Sequence, residues 1–186
     1  MKTKLYVVIA FLMGLGMTSC INPDETVEVI FQKDLEAIQK YLEENPIEAD
    51  KKYEIPTEGV YVYWLESTDP ELNTNILRLD TVTVNYTGRL LNGEVFDSSI
   101  EQVARDNGVY DPQRSYQPLK FTIGTGFGAI AGFEFATSLM RPTEKIITIF
   151  PSRLGYGSQG QGPVPPNSPM IFEIELLGVR NGPNHN

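Results

Sequence analysis

The side chains that most often carry enzyme chemistry are scarce in this chain. It has one histidine, His185, inside the polar stretch NGPNHN, and one cysteine, Cys20. A single cysteine allows no internal disulfide and no Cys-cluster zinc site. A lone histidine in a polar tail excludes a multi-histidine metal site and leaves Ser98 and Ser99 without a base to activate them. Glu94 with Asp97, or Asp106 with Asp111, can be read as paired carboxylates for acid–base work. Yet 24 acidic residues produce such pairs by chance, and nothing around either pair adds to the pattern. Gly124–Thr125–Gly126–Phe127–Gly128 suggests a phosphate cradle, but its spacing is neither GxGxxG nor GxxxxGK and no βαβ unit surrounds it. A close strand-to-helix turn is the expectation there.

What exceeds chance is an accumulation of aromatic residues. Tyr86, Phe96, Phe121, Phe133, Tyr156 and Phe172 stand at core-facing positions or beside glycine-rich loops. A small sheet needs large side chains to fill its core, which accounts for Phe121. Tyr86 and Tyr156 are different, because each carries a hydroxyl that needs a partner if buried, and Asp97 can supply an acceptor for one of them. Asp97, directly after Phe96, is then either a polar strand end meeting water or a carboxylate held at the rim of an apolar pocket.

These side chains need a scaffold, and hydrophobic period supplies it. Val27, Phe31, Leu35, Ile38 and Leu42 recur at helical spacing, with Asn45–Pro46 as the stop. That amphipathic stripe either packs on the main domain or meets a partner. After a loop at Ala49 to Glu58 the period becomes two. Gly59 to Leu65, Thr81 to Tyr86, Leu119 to Ile123 and Met170 to Leu176 read as strands. Glu144 to Phe150 is apolar almost throughout and is expected at the centre of the sheet. Asn92–Gly93 is a hairpin turn signal between strand-like runs. A single helix, Ala129 to Met140, follows the glycine-rich turn. Ile100 to Gln117 and Tyr156 to Pro169 are long loops, which in a compact domain are functional or mobile. The sum is an α+β domain from Tyr53 to Arg180, a mainly antiparallel sheet with one helix on it.

Composition agrees with a soluble domain: 41% hydrophobic and 21% charged residues are ordinary for a globular protein. A net charge of −9 with no basic stripe argues against a nucleic-acid partner. At the N-terminus Lys2 and Lys4 precede an apolar run of 13 residues, Leu5 to Met17, too short to cross a bilayer core of ~30 Å. It ends in Met17–Thr18–Ser19–Cys20, which resembles the bacterial lipobox. The resemblance implies cleavage before Cys20, lipidation of that residue and a mature chain of 186 − 19 = 167 residues. The alternative is an ordinary secretory signal with an incidental cysteine. Several acyl chains would anchor the protein stably where one would not.

The blocks VNYTGRLLNGEVFDSS, PLKFTIGTG, AIAGFEFATSLM, FPSRLGYG and GPVPPNSPMIFEIELLGV resemble, in order, those of FKBP-type peptidyl-prolyl cis/trans isomerases. With the lipobox, the chain is similar to bacterial lipoprotein members of that family. The resemblance implies an FKBP-like half-barrel, a twisted antiparallel β-sheet wrapped around one short α-helix, with the N-terminal amphipathic helix added. It divides the chain into a signal peptide (1–19), a lipidated tether and helix (20–52), the isomerase domain (53–180) and a polar tail (181–186). Catalytic positions carried over are Tyr86, Phe96, Asp97, Tyr156 and Phe172. Leu119, Ala129, Ile130, Phe133 and Val164 carry over as substrate-binding. The family needs no cofactor.

The implied function is isomerisation of X-Pro bonds in exported proteins. The implied partners are proline-containing clients, macrolide ligands of the FKBP class and, through acylated Cys20, a lipid membrane. The bacterial cell envelope is the implied location, the outer membrane in particular, on its periplasmic side or its surface. The competing readings are a non-catalytic binding module using the same pocket, and an interaction lipoprotein working through its N-terminal helix. The chain departs from the family pattern in three places. Phe133 stands where Trp is usual in eukaryotic members, and Pro142 takes the place of a small or aliphatic residue after the helix. Ile100 to Gln117 is around a dozen residues longer than the usual loop, so it either covers the pocket or recruits clients.

Overall fold

The computed structural model describes residues 26–68 and 75–185. The signal segment, Cys20 and the tether before Thr26 lie outside the described residues. Helix α1, Val27–Glu44, starts where the Thr26 hydroxyl accepts from the Val29 N–H and ends with the Asn45 N–H donating to the Tyr41 carbonyl. Seven strands follow: β1 Lys51–Ile55, β2 Val60–Glu66, β3 Thr81–Leu90, β4 Val95–Ser98, β5 Leu119–Thr122, β6 Lys145–Phe150 and β7 Met170–Arg180. They form one antiparallel sheet in the order β1-β2-β6-β7-β3-β4. β5 pairs with the first half of β3 and β4 with the second half, so both occupy the same edge.

Alternation sorts the sheet's two faces. Val62, Trp64, Val82, Val84, Ile146, Phe150, Phe172, Ile174 and Leu176 point to one side, against helix α3, Ala131–Ser138. Ile147, Ile149 and Ile171 point to the other and meet Ile38 of α1. The amphipathic stripe of α1 is therefore a packing surface of this domain. A fully buried Ile38 contributes roughly 1.5–3 kcal/mol to that contact. Asp34 lies in the same stripe, buried, and accepts from the Ser152 N–H at 2.8 Å and its hydroxyl at 2.6 Å. Cover on both faces is also why β6 is apolar at nearly every position.

Four local expectations change. β1 begins at Lys51 within a stretch expected to be loop. Its sequence KKYEI is an edge strand with no buried residue, so there is no alternation to read. The helix on the sheet runs Ala131–Ser138, because Ala129 and Ile130 enter it in extended backbone, Ile130 at φ −73°, ψ 154°. The segment expected as a loop from Ile100 contains a third helix, α2, Glu101–Asp106. The polar tail is docked: the Gly182 N–H donates to Asp80 at 2.7 Å and the His185 ring meets the same carboxylate at 2.7 Å. The hairpin, by contrast, forms as expected. The Leu90 N–H donates to the Glu94 carbonyl, the Gly93 N–H donates to the Leu90 carbonyl, and Gly93 takes φ +88°.

Candidate functional site

The β3–β4 hairpin, α3 and β7 bring the aromatic residues together. Phe172 is the hub: ring centroids of Phe133, Phe96, Phe150 and Tyr86 lie 5.1, 5.5, 5.7 and 6.2 Å away. The contacts with Phe133 and Phe96 are edge-to-face, the arrangement in which ring quadrupoles attract. Gly88 on β3 makes room for them. A Cβ there would lie 2.6 Å from Phe96 Cζ and 2.7 Å from Phe172 Cε1.

Over this cluster opens a cavity of about 140 Å³ lined by Tyr86, Leu119, Phe133, Tyr156 and Phe172, with Asp97 and the Gly128–Ala129–Ile130 entry to α3 at its edge. Eight expected site residues thus share one pocket. Two do not reach its wall. Phe96, 6% exposed, is buried in edge-to-face contact with Phe172. Val164, 3% exposed, belongs to the hydrophobic core, with its backbone bridged to Gln161. Gly128 joins the wall unforeseen, in left-handed backbone at φ +92° that suits glycine.

The rim carries the polar chemistry. The Tyr86 hydroxyl donates to Asp97 Oδ2 at 2.5 Å. Arg114 donates through Nη1 to Asp97 Oδ1, and through Nη2 to the Tyr86 hydroxyl at 3.1 Å. Both carboxylate oxygens are thus engaged, so Asp97 is a fixed acceptor and not a free acid or base. Burial, then the neighbouring Asp97 carboxylate, pushes the Tyr86 phenol up to about 12. Burial and Asp97 likewise raise the Tyr156 phenol. The Tyr156 hydroxyl has no hydrogen-bond partner among the described residues, so at neutral pH it is a protonated donor facing the cavity.

Arg114 is the residue that sequence reasoning missed. It comes from the insert, where the Tyr110 and Tyr116 rings stack at 5.5 Å. Arg105 lies over Tyr110 at 3.5 Å and Arg114 over Tyr116 at 5.0 Å. No insert side chain lines the aromatic cavity.

The residues behind the other candidate chemistries are committed to structural bonds. Ser98 and Ser99 are buried. The Ser98 hydroxyl donates to the Tyr86 carbonyl and the Ser99 hydroxyl accepts from the Tyr86 N–H, both at 2.9 Å, so the pair stitches β4 to β3. The Gly124 N–H donates to the Glu134 carboxylate, which occupies the place a phosphate would need. Asp106 accepts from Gln102 within α2, and Asp111 caps the Gln113 N–H.

Comparison with known proteins follows the same outline. The sequence profile of the FKBP-type peptidyl-prolyl cis-trans isomerase family matches residues 73–177. A Haemophilus influenzae protein named "Probable FKBP-type peptidyl-prolyl cis-trans isomerase" is 36% identical over 124 residues, 66% of this chain and 44% of that protein. FK506-binding protein 2 of Yarrowia lipolytica is 40% identical over 119 residues, 63% of this chain and 73% of that one. Among solved structures, FkpA from Escherichia coli matches with a TM-score of 0.59 and 27% identity, covering 84% of this chain and 63% of its own. A Pseudomonas syringae peptidyl-prolyl cis-trans isomerase matches in fold, with a TM-score of 0.54 at 24% identity.

Proposed function

That this chain belongs to the FKBP-type peptidyl-prolyl cis-trans isomerase family is the premise from which we propose that its aromatic cavity isomerises X-Pro bonds. The observation that carries the reading is an open pocket of aromatic side chains whose one carboxylate is already bonded at both oxygens. Such a site has nothing with which to attack a bond and much with which to desolvate one.

Rotation about an amide C–N bond faces a barrier of ~18–20 kcal/mol, because resonance must be broken. Uncatalysed X-Pro isomerisation accordingly takes tens to hundreds of seconds. A twisted amide has lost much of its charge separation, so a dry apolar wall favours it over either planar isomer. Binding the twisted form better is catalysis by differential affinity, and shortening ~100 s to ~1 ms asks about 7 kcal/mol of it. In this mechanism Phe133 and Phe172 grip the proline ring, with Phe96 bracing Phe172 edge-to-face. The unpartnered Tyr156 hydroxyl donates to a substrate carbonyl. Asp97 holds Tyr86 and Arg114 at the rim, and macrolide ligands of the FKBP class would compete for the same walls.

The clients proposed are exported proteins, met in the bacterial envelope by an enzyme anchored through acylated Cys20. That part rests on the apolar leader and the lipobox resemblance. A protease-coupled X-Pro peptide assay on the chain from Ile21 onward, beside Asp97→Ala and Tyr156→Phe, tests the chemistry. Acceleration that both substitutions diminish is expected; no acceleration, or indifference to both, would sink it. For the anchor, Cys20→Ser should release the processed protein from membranes, and continued membrane association would refute lipidation.

A further inference from the structure

Beside the aromatic pocket lies a second and larger space, a cleft of about 470 Å³ between the insert and β5. Arg114, Ser115, Gln117, Pro118 and Lys120 line it, and it shares Tyr86 and Leu119 with the pocket, so the two lie side by side. No acidic side chain lines it. The Arg114 guanidinium is occupied by Asp97 and the Tyr86 hydroxyl. Lys120 is not. Strand alternation turns it outward between buried Phe121 and half-buried Leu119, and it makes no ion pair among the described residues. The side chains of Ser115 and Gln117 likewise hold no hydrogen bond there, and both can donate. On a chain with a net charge of −9, this is a local cationic, donor-rich hollow next to an apolar one.

Resting on the isomerase reading above, we propose that this cleft is a second subsite, which takes an acidic side chain of the client within a few residues of the proline. Lys120 supplies the charge, while Ser115 and Gln117 supply donors to the carboxylate. The contact is solvent-accessible, so its effect is modest, about two- to fivefold in kcat/KM, the range of exposed ion pairs.

The test uses X-Pro peptides in which Glu, Gln or Lys is moved from two positions before the proline to two after it. These are assayed with the wild-type protein, Lys120→Ala, Lys120→Glu, and Lys52→Ala at the far edge strand as a control for long-range field. At one position or an adjacent pair, wild type should favour Glu over Gln. Lys120→Ala should abolish the preference, Lys120→Glu should invert it toward Lys, and Lys52→Ala should leave it intact. The preference should also vanish near 1 M salt, where the Debye length is about 3 Å. Equal turnover of all peptides, or a preference that survives Lys120→Ala, overturns the subsite while leaving the isomerase standing. If no peptide is accelerated, the isomerase reading fails. The subsite is then judged by NMR titration of the same peptides, and binding without charge preference overturns it as well.

Discussion

Replacing Gly88 by alanine tests whether the aromatic cluster is packed as closely as its geometry implies. The backbone of Gly88 is not in the left-handed region, so the substitution adds volume without backbone strain. The new Cβ would fall 2.6–2.7 Å from ring atoms of Phe96 and Phe172, about 1 Å inside ordinary contact. Neither ring can swing into solvent, being 6% and 4% exposed, and Phe172 is braced by Phe133 and Phe150. Overpacking of this kind costs about 1–3 kcal/mol, and an unyielding aromatic neighbour argues for the upper part of that range. Loss of glycine's freedom in the unfolded chain returns about 0.4–1 kcal/mol. The net is about 2 kcal/mol, or a fall in Tm of about 4–8 °C for a domain of this size. Because Phe172 forms the pocket wall, its retreat should lower kcat/KM about ten- to a hundredfold. Differential scanning calorimetry and the protease-coupled assay read the two effects. Gly178→Ala is the control, since nothing lies within 4 Å of its added Cβ, and its Tm should be unchanged or slightly raised. If Gly88→Ala and Gly178→Ala matched each other in both measurements, the close-packed cluster would be wrong.

Two further outcomes follow from the buried charges. Burial alone would raise the Asp80 carboxyl, but the Gly182 and Leu77 N–H groups and the His185 ring outweigh it and hold the group below its ordinary value. A depressed carboxyl adds stability that is fully present above its unfolded value of about 3.9 and lost as pH falls through the folded one. The difference in urea stability between wild type and Asp80→Asn should therefore shrink below about pH 4, and a constant difference from pH 7 to 3 would refute the assignment. Tyr86, pushed up to about 12 by burial first and Asp97 second, should keep a flat ring-carbon NMR shift to pH 11. In Asp97→Asn it should titrate earlier, yet still above the ordinary value of about 10.

The pocket's walls were legible in the sequence because strand alternation assigns faces. Tyr86, Phe133 and Phe172 meet for the reason their spacing suggested, and the Asn92–Gly93 turn folds Phe96 and Asp97 back onto β3. Depth was less legible than face. Alternation puts Phe96 on the correct side but cannot say that it packs on Phe172 without lining the cavity. The contact between Arg114 and Asp97 was invisible, since it depends on how the intervening segment folds. EQVARD has one buried residue, Ala104, and so no period to betray a helix. The α1 stripe posed the opposite difficulty. Its apolar face was plain, but its partner was not, because the Ser152 donors that make a buried Asp34 tolerable lie 118 residues away.

The insert's relation to the pocket follows from comparing what orders it with what it touches. Its ion pair to the rim, Arg114 with Asp97, has both side chains about one-third exposed, and such pairs contribute about 0–1 kcal/mol. That is too little to order a segment the length of Ile100 to Gln117, at about 1–2 kcal/mol of backbone entropy per fixed residue. The ordering comes from Ala104, buried where α2 packs on β4, and from the stacked Tyr110 and Tyr116 rings with the arginines laid over them. Arg114 is thus delivered to Asp97 by a segment already shaped, and does not hold that segment in place. The wall of the pocket belongs to the sheet, to α3 with its entry segment and to Tyr156 of the β6–β7 connection, while one edge of its rim belongs to the insert. Substitutions in the insert can therefore change the approach to the pocket without altering its aromatic wall.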